Sequence, residues 1–397
     1  MPAPTIRLHH DDPLLWEFQG TVLAHAVFQG RQSVVLDRSV FYPESGGQQG
    51  DTGRLGGARV ADVQVDDAGV VHHLLEGDPP ALGTVVTGQI DGARRRIHMA
   101  QHTAQHMLSA ALLEGAGGET VSSRLGEGAC TIDLDLETLA DKDVVAAEDR
   151  VNALIDEDLV IRAYFPSEEV LRALPLRRRP KVSENIRVVQ IGDFDVSPCG
   201  GTHCTRTAQV GLVRVTGVER YKGKARVTFQ AGRRAREGLW AEARALRGLA
   251  AVFTCGPLEV PASVDSMRHA LAETRTALGA ARAVVAGAEA ERLLAEARAA
   301  GRTVVVGLVD GDAELLRAMA RKLTAQADVS LVLGARGPEG IAVMCTRGER
   351  GTLDCGAAMK ELAAAGGGRG GGKPAHAEGR LPLTADFSAL AARLLAR

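Results

Sequence analysis

The chain has 397 residues, of which 24% are charged, 45% hydrophobic and 3% aromatic, with a formal net charge of -2. That length exceeds what one hydrophobic core usually organises, and the near-neutral balance excludes a uniformly basic nucleic-acid binder while leaving room for local basic patches. Six scattered cysteines argue for reduced thiols over a disulfide framework, and no apolar run approaches the roughly 20 residues that span a bilayer.

The opening "MPAPTIRLHHDDPLLW" mixes charged with apolar residues and has no leader pattern, so a soluble cytoplasmic protein is expected. Residues 1–90 read as short strands broken by glycine turns, a small barrel-like or open β domain. From Arg94 to Glu114 the pattern turns helical and stops at Gly115–Gly118; "ACTIDLDL", an acidic helix from Asp141 to Asp158, "IRVVQI" and "VGLVRVTGVER" follow. Residues 91–235 are thus expected to form an α+β layer. Residues 236–300 read as a helical linker, with "TCGPLEVP" interrupting two helices, the second of which (263–299) permits pairing with another copy. Residues 301–397 announce an α/β unit through "TVVVGLVDG", "VSLVLGARG" and "IAVMCTRG", and they contain the glycine-rich "AAAGGGRGGGKPAHAEG". The overall expectation is a mixed α+β chain of four parts.

Two pairs carry the chemistry. "HTAQH" sets His102 and His106 four apart on the first helix, so both imidazoles leave one face about a turn apart and can reach one zinc ion at ~2.1 Å. In "VSPCGGTHC", Cys199 and His203 are again four apart, and the intervening glycines let the backbone curl so that both point inward. Zinc accepts this mixture of thiolate and imidazole. His98 is a competing ligand or a neighbour that supports one, Cys204 a substitute for Cys199, and Cys199 itself could instead be a nucleophile with a histidine base. "LDRSVFYPESGGQQGDTG" adds a strand running into a polar turn whose bare backbone could approach a ligand, or which could be a plain hairpin connection with a type II turn.

Taken in order, "FYPESGGQQGDTG", "HMAQHTAQHMLSAAL", "DFDVSPCGGTHC" and "VGLVRVTGVERYKGKARVTFQAGRRA" resemble the editing domain of alanyl-tRNA synthetase and its freestanding relatives, the alanyl-tRNA editing proteins. The linker "LEVPASVDSM" and the terminal "GGGRGGGKPAHAEG" resemble the C-terminal region of the same synthetases and a glycine-rich domain shared with a phosphoesterase family. The resemblance makes residues 91–235 a zinc-containing editing domain with ligands His102, His106, Cys199 and His203. It gives Gln48 a role in editing and places Ser45, Gly46, Gly47 and Thr202 at the substrate. It also implies a chain that removes a wrong amino acid without charging tRNA itself.

The implied substrate is tRNA(Ala) mischarged with serine, and glycine as a further candidate; the reaction is zinc-dependent hydrolysis of the aminoacyl ester. Expected phosphate contacts are Arg94, Arg95 and Arg96, the run Arg177–Lys181 with Arg178 foremost, Lys222 and Lys224 with the neighbouring Arg226, and Arg369 and Lys373 of the terminal glycine run, whose amides could cradle phosphate. Rival readings are a zinc hydrolase of small molecules, a phosphoesterase, and an RNA-binding protein with a structural zinc. The adjacent histidines of "LHHDD" and "VHHLL" are assigned to a mobile start and a strand end.

Overall fold

The computed structural model describes residues 3–126, 128–180 and 184–395. Its helices and strands are mixed along the chain, and two compact units divide it, Met1–Gly248 and Leu249–Arg397.

In the first unit, β1 (Ile6–Arg7) pairs in parallel with β4 (Arg38–Ser39). A closed barrel is built from β2 (Glu17–Phe28), β3 (Arg31–Leu36), β5 (Gly53–Leu55), β6 (Ala58–Val65), β7 (Val71–Glu76) and β8 (Val85–Ile90), in the order β2-β3-β7-β6-β5-β8. Alternation drives it: β8 turns every second residue inward, onto a core of Val22, Val34, Leu36, Phe41, Leu55 and Val60.

Helix α1 (Gly92–Ala116) starts where the Asp91 carboxylate accepts the N–H groups of Ala93 and Arg94, and it stops at Gly117, whose φ of 68° is left-handed. Every residue from His98 to Leu112 is buried, so this helix is wrapped on all sides instead of lying on a surface. Around it pack β9 (Thr120–Leu125), β10 (Cys130–Leu134) and α2 (Asp141–Asp156). β11 (Ile161–Tyr164), α3 (Glu168–Ala173), β12 (Val188–Ile191) and β13 (Asp195–Pro198) follow, the three strands forming one antiparallel sheet. β14 (Val213–Tyr221) and β15 (Lys224–Ala231) complete a second sheet, ordered β14-β15-β10-β9.

The expected boundary at residue 90 falls inside this unit. Its physical reason is a buried ion pair between Arg95 on α1 and Asp51 after the barrel's long loop, both fully covered, with Arg95 also donating to the carbonyls of Pro13 and Val40. Breaking such a pair strands a charge, so barrel and helix hold together.

The unit boundary at 248/249 lies within α4 (Gly232–Phe253), and α5 (Val260–Ala299) is one unbroken 40-residue helix with Pro261 in its first turn. In the second unit β16 (Val304–Asp310), α6 (Ala313–Leu323) and β17 (Ser330–Gly337) make a parallel crossover. β18 (Gly340–Arg347), α7 (Cys355–Gly366), β19 (Arg369–Lys373), β20 (His376–Leu381) and α8 (Phe387–Leu395) extend it to a five-stranded sheet ordered β16-β17-β18-β20-β19. One face packs on α5 and α6, the other on α7 and α8. The glycine run is therefore an edge strand. A side chain at Gly370 would come within 2.8 Å of Met359, and one at Gly372 within 2.4 Å of Ala377. Among the described residues no helix is long and apolar enough to cross a membrane.

Candidate metal centre and its pocket

Four side chains from two distant stretches meet. His102 and His106 leave one face of α1, while Cys199 and His203 come from the loop after β13, and the ligand atoms of all four lie within 4.8 Å of one another. The Cys199 Sγ is 3.4 Å from His102 Nε2 and 3.3 Å from His203 Nε2. A tetrahedron with bonds of 2.1–2.3 Å has edges of about 3.4–3.8 Å, so these separations suit one zinc-sized ion.

Each imidazole is turned by a partner on its other nitrogen. His102 Nδ1 donates to Gln48 Oε1 at 2.7 Å, His106 Nδ1 to Asp195 Oδ2 at 3.3 Å, and His203 Nδ1 faces Thr103 Oγ1 at 3.3 Å. All three Nε2 atoms are thereby presented to the common centre, and that of His106 is buried without a hydrogen-bond partner. An orphaned buried nitrogen is costly unless something fills the position, which is how a ligand to an ion behaves.

The electrostatics agree. Burial alone would raise the Cys199 thiol, but the charges of the surrounding imidazoles outweigh it and hold it well below the usual thiol value, favouring the thiolate. Burial and the neighbouring His102 push His203 down to about 3, which keeps it neutral. Burial also works against a charged His106, yet the Cys199 thiolate and Asp195 raise it overall. Asp195 sits at about 2: desolvation is overcome by hydrogen bonds from His106 and Arg177.

Local geometry explains the motifs. Along β13, Asp195 and Ser197 share one side by alternation, with Cys199 directly after the strand, and Ser197 donates to Asp195 at 3.0 Å. Gly201 is required because a side chain there would lie 2.1 Å from His102 Cε1. The Ser45–Gln48 turn closes with reciprocal backbone hydrogen bonds and φ of 59° and 88° at Gly46 and Gly47, the two-glycine hairpin type and not a type II turn.

Gln48 is held firmly in this geometry. Its amide is fully buried and engaged, with Oε1 accepting from His102 and from the Thr202 N–H at 3.1 Å, and Nε2 donating to the Thr202 hydroxyl at 2.8 Å. Gln48 and Thr202 stand behind His102, and neither is among the residues lining the pocket. Cys204 is buried against the Ile132 core and burial pushes its thiol up to about 12; it stays outside the cluster, as does His98.

Above the cluster lies a pocket of about 620 Å³. Cys199, His102, Ser45, Gly46, Gln105 and Gly201 line its metal-facing part; Gly47 is exposed but outside it. Sequence reading missed Asp195, Thr103 and Arg187. Arg187 is buried, donates to the carbonyls of Cys199 and Gly201 at 3.1 and 2.8 Å, and lines the pocket. "LHHDD" is no loose start, since His9 is 1% exposed and His10 also lines the pocket; "VHHLL" is strand β7.

Of the proposed phosphate contacts, Arg95 is excluded by its burial and Arg177 is spent on Asp195. Arg94 donates to Gly50 O, Arg96 is exposed over Trp16, and Arg178 lines the pocket, donating to Pro198 O. Lys222 is exposed and Lys224 half-buried, while Arg226 pairs with Asp133. Arg369 and Lys373 are exposed on one side of β19. Lys181 lies outside the described residues.

Known proteins match this chain in three stretches. The threonyl and alanyl tRNA synthetase second additional domain matches residues 186–228, the span holding Asp195, Cys199 and His203. The model for tRNA synthetases class II (A) matches residues 15–94, here the barrel, and the DHHA1 domain matches residues 301–396. The alanyl-tRNA editing protein AlaX-L of Pyrococcus horikoshii is 37% identical over 58% of this chain and 58% of its own length. By these matches the chain is similar to alanyl-tRNA editing proteins. The alanine–tRNA ligase of Halorubrum lacusprofundi is 34% identical over 95% of this chain, which spans 42% of that ligase, and the Archaeoglobus fulgidus ligase is 30% identical over 96%, spanning 43%. The C-Ala domain of Aquifex aeolicus alanyl-tRNA synthetase aligns over 23% of this chain and 86% of its own at 18% identity and a TM-score of 0.22.

Proposed function

We propose that this chain hydrolyses the ester of tRNA(Ala) mischarged with serine, and also with glycine, at a zinc ion held by His102, His106, Cys199 and His203. The observation that carries the reading is the convergence of three Nε2 atoms and a thiolate at the base of a pocket, with Cys199 and His102 reaching its surface. The name of the Pyrococcus relative supports it. A zinc ion there supplies a Lewis acid for an ester carbonyl or a water.

The chain's own groups set the selectivity. Ser45, Gln105, Thr120, Ser122 and Ser123 line the pocket with hydrogen-bonding groups. A serine hydroxyl pairs with such groups, whereas an alanine methyl leaves them unsatisfied, a difference worth up to about 10⁴ in rate. The thiolate and imidazoles are oriented before substrate arrives, because Gln48, Asp195 and Thr103 already hold the three rings. Phosphate contacts by Arg96, Arg178, Lys222, Lys224, Arg369 and Lys373 belong to the same proposal. So does pairing of two copies along the half-exposed Met267, Leu271, Leu278 and Val285 of α5.

Deacylation of seryl-, glycyl- and alanyl-tRNA, each with and without chelator, tests the reading. Seryl ester should be cleaved and alanyl ester spared, with cleavage lost on chelation and in Cys199→Ala. Equal cleavage of all three, or full activity in metal-free Cys199→Ala, would overturn it.

A further inference from the structure

Two consecutive arginines of the basic run "LRRR" approach the metal site by different openings. Arg178 lines the pocket over the cluster, while Arg177 lines a second cavity, of about 610 Å³, beside the C-terminal half of α1. Ala110, Leu113, Leu159, Phe194 and Asp195 also line that cavity, and none of the four cluster residues does. The Asp195 side chain is fully covered, whereas 11% of the Arg177 side chain is exposed. The guanidinium therefore stands between the solvent of this cavity and the carboxylate behind His106.

Arg177 makes two parallel bonds to Asp195, Nε to Oδ1 at 2.6 Å and Nη2 to Oδ2 at 3.3 Å, and its backbone N–H donates to the Val196 carbonyl at 2.9 Å. Ser197 Oγ donates to the same carboxylate at 3.0 Å. A planar fork of this kind fixes the plane of a carboxylate and balances its charge; a lysine at the same place supplies the charge and leaves the plane free. With Asp195 so held, its Oδ2 faces His106 Nδ1 at 3.3 Å, and the Nε2 of that ring is buried with no hydrogen-bond partner. The other two imidazoles lean on neutral groups, His102 on Gln48 and His203 on Thr103. His106 alone of the three has a carboxylate behind it, and a buried carboxylate stripped of its cation is costly.

We propose that Arg177 is a positioning residue for the metal ligand His106: its fork holds the Asp195 carboxylate in the plane that accepts the Nδ1–H hydrogen bond, which aims Nε2 at the common centre. An arginine from a basic run thereby serves the metal and not the tRNA. The second cavity makes the role open to a direct test, because a small planar cation entering it can take the place of a missing side chain. The inference rests on the metal-centre reading and is independent of which ester is cleaved.

The experiment titrates the metal-stripped full chain with Co²⁺, reads the visible absorption of the thiolate-bound ion, and then displaces it with Zn²⁺. Arg177→Ala should bind either ion about 10–100-fold more weakly than the wild type and shift the Co²⁺ bands. Millimolar guanidinium should restore much of that loss, whereas urea, of the same shape without the charge, should not. Arg177→Lys should keep the far-ultraviolet circular dichroism of the wild type and bind about tenfold more weakly, which decides the matter if the alanine variant does not fold. With metal saturating, KM for seryl-tRNA should stay unchanged in Arg177→Lys, because Arg177 does not line the pocket over the cluster. Wild-type affinity and spectrum in both variants, a loss that guanidinium leaves unrepaired or that urea repairs equally, or a raised KM would overturn the inference alone. A wild type that takes up no Co²⁺ would overturn it together with the metal-centre reading.

Discussion

Two glycine-rich stretches, one in each unit, look alike on paper and do opposite things. In the first unit "PCGG" brings backbone within a side chain's width of a ligand: Gly201 leaves no room for even a methyl group beside His102. In the second unit "GRGGGK" is strand β19, and its glycines make room for the protein's own Met359 and Ala377. Bare backbone therefore signals close approach without saying what approaches. The neighbours decide: one stretch is flanked by thiolate and imidazole, the other by apolar side chains of α7 and β20.

Substitutions can break this contrast. Gly201→Ala should displace His102 and cost both metal occupancy and about 10² or more in deacylation rate, read by metal analysis and single-turnover hydrolysis. Acid should also separate the two units. Buried His73 is held at about 4 by desolvation, so the unfolded chain takes up its proton first as pH falls below 6.5. That group favours the fold fully above pH 6.5 and loses about 3 kcal/mol of it by pH 4, the first unit unfolding earlier in urea. Among the described residues the second unit has no buried histidine, so it lacks this source of acid loss.

Smaller changes sharpen the same comparison. Gln48→Ala should weaken metal binding about 10–100-fold with the fold retained, since it removes the acceptor that turns His102. An unchanged affinity would return Gln48 to the substrate. Gly372→Ala should cost about 1 kcal/mol of stability in the second unit, measured by thermal melting, and leave metal content untouched.

The pattern of the chain revealed most elements and the four converging side chains, because helical spacing and a Cys–His loop state their geometry locally. α1 was legible from "HMAQHTAQHML", and β12 from "IRVVQI". What escaped depends on contacts between distant segments. Asp195 beside His106 is 89 residues away in sequence, and Gln48 beside His102 is 54 away. Arg95 resembled its neighbours in an exposed basic run, yet helical rotation sends it inward onto Asp51 while Arg96 faces out. The strand in the glycine run was not legible, because periodicity cannot tell an edge strand from a loop when side chains are missing.

The most direct test follows metal content and seryl-tRNA hydrolysis together while a chelator strips the purified protein. One zinc per chain, with hydrolysis falling in proportion to occupancy and returning on readdition, is the predicted result. Undiminished hydrolysis by metal-free protein would contradict the account at its centre.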